Sequence, residues 1–494
     1  MLDFANLEIY RENNRIEAKK AQGGLPHSIW ETYSAFANSF GGILLLGVVE
    51  GADKRFVSVP LPSPERLVSE FWKMINDRTK VSVNILSEQD VQIVESGGNR
   101  IVVIQIPRAG RHERPVYIGT DPFSGSYFRD GEGDYRCSPD EVRSMLRDRT
   151  DEPQDAMVLE EFSTDCLDPG CISRYRVRLS DLHPRPAWQR SISCHFLPCV
   201  GAVARGEDGQ YHPTAAGLLM FGKSRDIRRE FPDYLLDYQE LDASGRLLWQ
   251  LTSRSEDWSG SLFDFYFLVY HRILQGLEEK PPAAGTPSAM RSESSPVRSG
   301  SGQPNSDLSG VRSALGEALA NCLIHADYRA KSGLVIRKEP DSIVITNPGS
   351  FRIFISEAAD GGKSDVRNVT LARMFSLIHI GRGKGSGIPG IHRAWEEQGW
   401  EKPSLTEQLS PARITLTLRL KRGEDERTDT PVQKARKQAI LEYLTAVPAA
   451  EIAQIAGAVG LSPSRTGDYL RLLKEEDIIV SEKSGRKATY RLKS

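Results

Sequence analysis

Glu317-Ala-Leu-Ala-Asn321-Cys-Leu-Ile-His325-Ala-Asp-Tyr328 is the stretch of this 494-residue chain that decides the fold around it. Its apolar residues recur at helical spacing and predict a helix over residues 311–326. Steps of four residues place Glu317, Asn321 and His325 on one face, because an α-helix turns once every 3.6 residues. The residues predicted to face the core are Leu315, Leu319, Cys322 and Leu323. A carboxylate, an amide and an imidazole in one line can hold a magnesium ion and a polyphosphate.

Two segments further along the chain carry residues that suit the same ligand. Thr346-Asn-Pro-Gly349 follows a pair of alternating strands predicted over residues 334–347, and it supplies the candidate contacts Asn347 and Gly349. The flexible loop 381–387 has backbone amides that can wrap phosphates, and its candidate contacts are Gly385, Ser386 and Gly387. A helix over residues 369–378 and a strand over residues 412–420 complete a predicted α+β domain.

A second candidate site lies near the N-terminus, in Glu12-Asn-Asn-Arg-Ile-Glu17-Ala-Lys19. Two carboxylates close in space, here Glu12 and Glu17, can coordinate a divalent metal ion. Lys19 beside them can stabilise the charge that grows on a phosphodiester during cleavage. The candidate third acid is Glu50, which follows an apolar strand predicted over residues 43–49, or alternatively Asp53 if the loop folds back. With Glu50 as the third acid, these four residues form a candidate nuclease cluster.

The alternative for the same segment is structural. Glu17 and Lys19 can instead pair as a salt bridge at a strand edge, and the domain then only holds nucleic acid. Several basic residues in Pro107-Arg-Ala-Gly-Arg111-His-Glu-Arg114 are of the kind that contacts phosphates. The candidate contacts of this region are Arg11, Arg15, Lys19, Lys20, Arg108, Arg111, Arg114 and Arg129.

The C-terminal residues have helix-turn-helix spacing. Helices are predicted over residues 434–444 and 449–459, and Ser462, as an N-cap before Pro463, starts a third. A hairpin around Ser484-Gly485 completes a predicted winged helix. From residue 431 onward there are eleven Lys and Arg and seven Asp and Glu, in a chain of formal net charge -2. The candidate phosphate contacts are Ser464, Arg465, Arg471, Lys474, Arg486 and Lys487. The alternative for such a module is protein–protein contact or dimerisation.

Residues 8–147 resemble the Schlafen-type (AlbA_2) domain. The resemblance rests on Glu12 and Glu17, on Ser34-Ala-Phe-Ala-Asn38-Ser-Phe-Gly41-Gly42 and on Gly47-Val-Val-Glu50. It implies an α+β domain that binds nucleic acid. In nuclease members of that family such an acidic cluster cuts RNA, with a divalent metal ion at the glutamates.

Residues 311–420 resemble the divergent GHKL-type ATP-binding domain that follows a Schlafen-type domain in many bacterial proteins. The resemblance implies an α/β sandwich that binds ATP with Mg²⁺. It also implies that the motif around Glu317 and Asn321 supplies a base and the metal ligand, Asn321, and that residues 385–387 form the lid. The chain departs from the family by having Asn347-Pro-Gly349 where Asp-x-Gly-x-Gly is usual.

Length and composition limit the other possibilities. At roughly 100 to 200 residues per domain, 494 residues correspond to about three domains. The longest apolar stretch, residues 43–49, is too short to span a bilayer, so we expect a cytoplasmic protein without a membrane partner. The near-neutral net charge means that any nucleic-acid site is a local patch.

The predicted fold class is α+β, with several domains. The predicted segments are a Schlafen-type domain at 1–149, a bridging region at 150–280, a disordered linker or loop at 281–310, a GHKL-like domain at 311–420, a linker at 421–433 and a winged helix at 434–494.

These features predict an intracellular regulator or defence-type protein that binds nucleic acid, expected to be DNA, and ATP, and that forms a homo-oligomer. The enzymatic alternative is a metal-dependent nuclease that acts on RNA or single-stranded nucleic acid and is regulated by nucleotide. A third possibility is an architectural oligomer whose subunit contacts come from the winged helix and the bridging region.

Overall fold

The computed structural model describes residues 13, 15–51, 54–182, 193–278, 308–381, 385–421, 431–447, 449–475, 478–484 and 487–493. The chain divides into two compact units, Met1–Lys421 and Arg422–Ser494. Of the linker predicted at 281–310, residues 281–307 lie outside the described residues. In the part of the chain that is described, no helix is both long and apolar enough to cross a membrane.

The N-terminal domain, residues 13–149 as described, is built on a four-stranded sheet. Its elements are β1 (Ile16–Lys19), α1 (Ile29–Asn38), β2 (Gly42–Leu46), β3 (Val48–Glu50), β4 (Phe56–Ser58), α2 (Pro64–Ile75), β5 (Val91–Ser96), β6 (Asn99–Ile106), α3 (Pro122–Gly125), β7 (Tyr127–Asp130), β8 (Gly133–Arg136) and α4 (Pro139–Arg149). The sheet order is β1-β2-β6-β5, with β1 and β2 parallel and the other neighbours antiparallel.

Local sequence explains most of these elements. Helix α4 starts with a capping box at Ser138: the Glu141 side chain accepts the Ser138 N–H at 2.7 Å, and Ser138 Oγ accepts the Glu141 N–H at 3.4 Å. The strand predicted over residues 43–49 is interrupted, because Gly47 has φ +86° and a Cβ there would lie 2.8 Å from Leu61 Cγ. The turn at Gly47 carries Glu50 into a separate ribbon of β3 and β4.

The sheet domain, residues 150–421 as described, is the larger part of the same unit. Its elements are α5 (Pro169–Leu182), α6 (Ser193–Val200), β9 (Val203–Arg205), β10 (Tyr211–Pro213), α7 (Ala215–Phe221), α8 (Ser224–Glu230), β11 (Leu236–Leu241), β12 (Leu247–Thr252), α9 (Leu262–Glu278), α10 (Ser309–His325), β13 (Leu334–Lys338), β14 (Ser342–Pro348), α11 (Ile355–Asp360), α12 (Val369–Leu377), α13 (Gly387–Glu397), β15 (Ser404–Leu409) and β16 (Ala412–Arg419).

The predicted separation of a bridging region from the following domain is corrected by this sheet. Its strand order is β12-β11-β13-β14-β16-β15, so two strands from before residue 280 join four from after residue 330. Strand β11 runs parallel to β13, with Leu236 opposite Leu334. One hydrophobic core contains residues from Leu159 to Leu420. The two segments therefore fold as one body, because neither half of the sheet could cover its apolar face alone.

The second unit contains three helices and a three-stranded sheet. Its elements are α14 (Pro431–Ala446), β17 (Ala450–Glu451), α15 (Ile452–Val459), α16 (Pro463–Glu475), β18 (Ile479–Ser484) and β19 (Lys487–Leu492), with sheet order β17-β19-β18. Ser462 is the N-cap of α16 as predicted, because its Oγ accepts the Arg465 N–H at 3.4 Å. Ile440, Ile455, Leu470 and Leu473 fill the core.

Candidate functional site

A cavity of about 350 Å³ lies beside α10 and brings together all three segments singled out in the second half of the chain. Its polar lining from those segments consists of Glu317, Asn321, His325 and Asn347, with Gly385 and Gly387 at one side. Pockets of about this size are typical of small-molecule and cofactor sites.

Helix α10 positions three of these side chains as its spacing predicts. Leu315, Leu319, Cys322 and Leu323 are at most 5% exposed, so the opposite face packs into the core. Glu317, Asn321 and His325 are half-buried on a helix that is otherwise largely buried from Ala314 onward. The polar stripe thus faces the cavity rather than solvent.

The cavity-lining amides and imidazole are short of hydrogen-bond partners. Among the described residues, the side chains of Asn321, His325 and Asn347 have no hydrogen-bond partner, although Asn347 is only 6% exposed. Their side-chain nitrogen and oxygen atoms are not completely buried, so they can be reached from the cavity. Their polar atoms are therefore available to a ligand in the cavity.

His325 is held uncharged by its surroundings. Burial, followed by the positive charges of Arg367 and Arg352, lowers the pKa of His325 to about 4. At neutral pH its imidazole is therefore a neutral donor and acceptor, and it adds no positive charge to the cavity.

Glycines form the side of the cavity nearest Asn321. A Cβ at Gly387 would lie 2.5 Å from Asn321 Nδ2, and Gly385, with φ +68°, lies with its α-carbon against the backbone of Lys363. Side chains at these positions would fill space beside Asn321 or strain the backbone. The predicted contact Ser386 is at the N-cap of α13, and Gly349, with φ +102°, packs against Arg367.

Four cationic residues also line the cavity: Arg352, Lys363, Arg367 and Arg373. Lys363 pairs with Glu357, and Arg373 donates to the carbonyl of Cys199 at 3.0 Å. Arg367 donates to the carbonyls of His325 and Ser350 at 3.1 and 2.9 Å. A cavity lined by amides, glycines and guanidinium groups can hold an anionic ligand that has a polar organic part.

In the N-terminal domain, the Glu17–Lys19 ion pair of the structural alternative is present. Lys19 Nζ lies 2.9 Å from Glu17 Oε1, and Arg129 Nη2 donates to Glu17 Oε2 at 2.8 Å. Arg129 is 6% exposed, also pairs with Asp134 at 2.9 Å, and lies over the Phe36 ring. Glu17 is thus part of a network that joins β1 to β7 and β8.

The candidate nuclease cluster remains a prediction. Glu12 lies outside the described residues, as do Arg11 and Asp53, and Glu50 is exposed at the end of β3. Across the described ranges, no group of three or more His, Cys, Asp or Glu side chains is placed to hold a metal ion.

The expected nucleic-acid contacts in the N-terminal domain need correction. Arg108 donates to Glu407 at 2.9 Å, Arg111 pairs with Asp365, and Arg114, 4% exposed, donates to the carbonyl of Phe351 at 3.2 Å. These three arginines and Arg129 bind groups of their own chain instead of facing a polyanion. Arg15 and Lys20 are exposed, and Arg15 lies over the Phe40 ring.

In the second unit, helix α16 presents Arg465, Arg471 and Lys474 on its exposed surface. Lys474 Nζ donates to Ser481 Oγ at 2.8 Å, which ties the end of α16 to β18. Arg486 lies outside the described residues, and the side chains of Ser464 and Lys487 are not among those described.

Sequence reasoning missed the acidic partners of the arginines. Asp148, Asp365 and Glu407 hold Arg367, Arg111 and Arg108, respectively, across 219 to 299 positions of sequence. No local pattern around these carboxylates indicates such a role, because the contacts exist only once the two domains have docked.

Comparison with known proteins found three family models that match different parts of the chain. Residues 12–138 match the model described as "Schlafen, AlbA_2", and residues 333–416 match that described as "Putative ATP-dependent DNA helicase recG C-terminal". Residues 143–237 match a model described as a domain of unknown function, DUF8451. No match was found among curated proteins.

Three solved structures show partial similarity. The DIP2311 protein from Corynebacterium diphtheriae is 16% identical, with 97% of this chain and 92% of that chain covered and a TM-score of 0.40. The N-terminal domain of a "Putative ATP-dependent DNA Helicase RecG-related Protein" from Nitrosomonas europaea is 29% identical, with coverages of 28% and 94% and a TM-score of 0.23. The antimony-specific transcriptional repressor AntR is 18% identical, with coverages of 15% and 76% and a TM-score of 0.11.

The family models overlap the predicted Schlafen-type and GHKL-type segments. The chain therefore contains a Schlafen AlbA_2 domain and a RecG-type C-terminal, ATPase-like region, and both are nucleic-acid-related domains.

Proposed function

We propose that this protein is a nucleic-acid-binding regulator whose cavity beside α10 binds ATP with Mg²⁺. The observation that supports this most is the set of unpartnered polar side chains, Asn321, His325 and Asn347, that lines a cavity of about 350 Å³ next to guanidinium groups. They come from separate segments of the chain, and a bound ligand would satisfy them together.

The residues present fit such a ligand. Asn321 and Glu317 would supply oxygen atoms to Mg²⁺, which prefers oxygen ligands and keeps several waters. Arg352, Arg367 and Lys363 carry the positive charge that phosphates require, and Arg367 is fixed by its bonds to His325 and Ser350. Asn347 offers both a donor and an acceptor for a nucleobase. Bound Mg²⁺ would neutralise part of the phosphate charge.

The nucleic-acid contact is proposed for α16 and for the exposed residues near β1. Arg465, Arg471 and Lys474 lie on the exposed surface of a helix that follows a tight turn at Gly460, where φ is +65°. Helices in this setting enter the major groove of DNA in many proteins. Arg15 and Lys20 are the exposed basic residues that remain from the predicted set in the N-terminal domain.

Thermal unfolding of the full chain with and without ATP and Mg²⁺ tests the ATP site. Ligand at about 100 times its Kd stabilises a protein by about 2.7 kcal/mol, so the unfolding temperature of the wild type should rise. The rise should be absent in Asn321→Ala and preserved in Glu396→Ala, which alters an exposed residue on α13. An equal rise in Asn321→Ala would reject this site.

Fluorescence anisotropy with labelled DNA and RNA tests the proposed binding of nucleic acid. Binding that weakens steeply with salt is expected, since phosphate contacts release counterions. Cleavage of the probe in the presence of Mg²⁺ or Mn²⁺, lost in Glu17→Ala, would instead establish the nuclease.

A further inference from the structure

The wall of the cavity that contains Arg352 and Arg367 is also the surface on which the N-terminal domain rests. Arg367, 7% exposed, pairs with Asp148 in the last turn of α4. Arg352 donates to the carbonyl of Val366 at 3.0 Å and to that of Asp148 at 3.5 Å. The same two guanidinium groups therefore line the cavity and hold α4.

A loop of the N-terminal domain, residues 107–114, contacts the same wall. The Glu407 carboxylate receives Arg108 at 2.9 Å and also the backbone N–H of Phe351 at 2.8 Å. Arg111 pairs with Asp365, which lies 3.6 Å from Arg352. Phe351 and Asp365 both line the cavity. Each of these contacts links the ligand site to the N-terminal domain through a single side chain.

Among the described residues, arginines outnumber the carboxylates paired with them at the interface between the N-terminal domain and the sheet domain. The arginines that meet there are Arg108, Arg111, Arg114, Arg147, Arg352 and Arg367, and the carboxylates paired with them at the interface are Asp148, Asp327, Asp365 and Glu407. Asp151, a further partner of Arg111, is largely exposed. Because an uncompensated buried charge is unfavourable, the excess of arginines would stabilise an anion bound beside them.

Two of these arginines also have a donor atom without a hydrogen-bond partner in the described part of the chain. The Nε atoms of Arg114 and Arg352 are buried and have no hydrogen-bond partner among the described residues. Burial, followed by the positive charge of Arg108, lowers the pKa of Arg114 to about 10. The side chain of Arg352 is only 10% exposed and borders the cavity, although its Nε is itself buried.

We propose that the anionic part of a ligand in the cavity, a polyphosphate group, binds Arg352 and Arg367, supplies the missing negative charge, and so tightens the attachment of the N-terminal domain. The inference rests on the proposed function, because it concerns the same cavity. Linkage requires the converse as well: contacts from the N-terminal domain must raise the affinity for the ligand. The nucleotide state of the cavity is thereby transmitted to a nucleic-acid-related domain.

Hydrogen exchange of the full chain, measured by mass spectrometry, tests this coupling. The chain is compared alone and with ATP and Mg²⁺, tripolyphosphate and Mg²⁺, or adenosine. ATP and tripolyphosphate should slow exchange in residues 309–325 and also in residues 107–114 and 139–149, whereas adenosine should leave the last two segments unchanged.

The two proposals fail in different ways in this experiment. Slower exchange confined to residues 309–325 and 385–397 would overturn the coupling and leave the ATP site standing. No change in any segment with ATP would overturn the ATP site and the coupling with it. Faster exchange in residues 139–149 would contradict the tightening.

Arg111→Gln gives the converse measurement, because Arg111 holds the interface but does not line the cavity. Its affinity for ATP with Mg²⁺ should fall about fivefold, at the low end of measured allosteric couplings. Arg174→Gln, which removes an arginine paired with Asp264 elsewhere in the same unit, should bind like the wild type. If Arg111→Gln does not fold, Arg147→Gln removes the Asp327 pair of α4 for the same readout. Unchanged affinity in a folded interface variant would overturn the inference.

Discussion

The β1 cluster, which consists of Glu17, Lys19, Arg129 and Asp134, differs in its hydrogen bonding from Asn321 and His325 on the polar face of α10. On α10, Asn321 and His325 have no side-chain hydrogen-bond partner among the described residues and face a cavity. At β1, Glu17 receives both Lys19 and Arg129. The unpaired groups that face the cavity can bind a ligand, whereas the paired charges at β1 stabilise their own domain. The candidate site is therefore identified by side chains without hydrogen-bond partners, and not by residue type.

The largest loss of stability is expected when Arg129 is removed from the β1 cluster. Arg129→Ala leaves the carboxylates of Glu17 and Asp134 without their buried partner, so the free energy of unfolding should fall by about 3 to 5 kcal/mol. Urea denaturation followed by tryptophan fluorescence measures it. Arg100→Ala, which removes an exposed pair with Glu65, should change stability little. Equal effects would mean that the cluster is not structural.

Lowering the pH is expected to reduce the stability of the fold through protonation of His325 on α10. Its pKa is about 4 in the folded chain and about 6.5 when unfolded, so the unfolded chain binds the proton more tightly and stability falls as pH drops from 6.5 to 4. The loss reaches about 3 kcal/mol. Burial raises the pKa of Asp155 from 3.8 to about 6. Asp155 therefore has the opposite effect to His325: the folded chain binds its proton more tightly, so stability increases as the pH falls from about 6 to 3.8.

Two substitutions separate these titrations. His325→Gln should make unfolding less sensitive to acid, and Asp155→Asn should make it more sensitive, both measured by urea denaturation between pH 4.5 and 7. Identical pH profiles in the wild type and His325→Gln would contradict the lowered pKa of His325.

Glu17→Ala tests whether the β1 cluster is more than structural. Loss of the carboxylate removes a partner from both Arg129 and Lys19, so stability should fall by about 1 to 3 kcal/mol without loss of nucleic-acid binding. Wild type and variant are incubated with labelled single-stranded RNA, tRNA and DNA in Mg²⁺ or Mn²⁺. Cleavage by the wild type that the variant lacks would reject the purely structural assignment.

Two glycines of α13, Gly387 and Gly390, test whether the ligand binds beside Asn321 on α10. Gly387→Ala places a methyl group against Asn321 Nδ2 and should weaken ATP binding about tenfold or more, whereas a Cβ at Gly390 meets no atom within 4 Å. Gly390→Ala should therefore bind normally and be slightly stabilised, as expected for Gly→Ala in a helix. Parallel calorimetric titrations compare them. Equal affinities would place the ligand elsewhere.

The smallest effect is the loss of DNA affinity expected from a single substitution on α16. Arg465→Ala should weaken DNA binding about equally for all sequences and reduce the salt dependence by about one phosphate contact. Arg66→Ala, an exposed arginine on α2, is the matched control. Anisotropy at several salt concentrations distinguishes them, and the same salt slope for both variants would remove α16 from the interface.

Much of the candidate site follows from local sequence. The four-residue spacing from Glu317 to His325 fixes one helix face whatever the rest of the chain does. The glycines of residues 385–387 indicate a close approach of backbone, and Ser138 and Ser462 mark helix starts by their capping chemistry. These features depend only on neighbours within a few positions.

What sequence could not predict depends on distant contacts. Arg108 and Arg111 are the basic residues expected at a phosphate-binding surface, but their partners Glu407 and Asp365 lie 299 and 254 positions away. Strand β11 joins the sheet beside β13, which sequence periodicity cannot specify. Strand β2 ends before Gly47 because φ of that residue is +86°, and Leu61 leaves no room for a side chain at that position.

Equilibrium titration of ATP with Mg²⁺ into the wild type, Asn321→Ala and Asn347→Ala tests the central claim most directly. Asn84→Ala, whose side chain bonds Asn76 and the Leu86 N–H outside the cavity, is the control. We predict one-to-one binding by the wild type and the control, weakened at least about tenfold in both cavity variants. No binding by the wild type, or equal affinity in all four proteins, would contradict the claim.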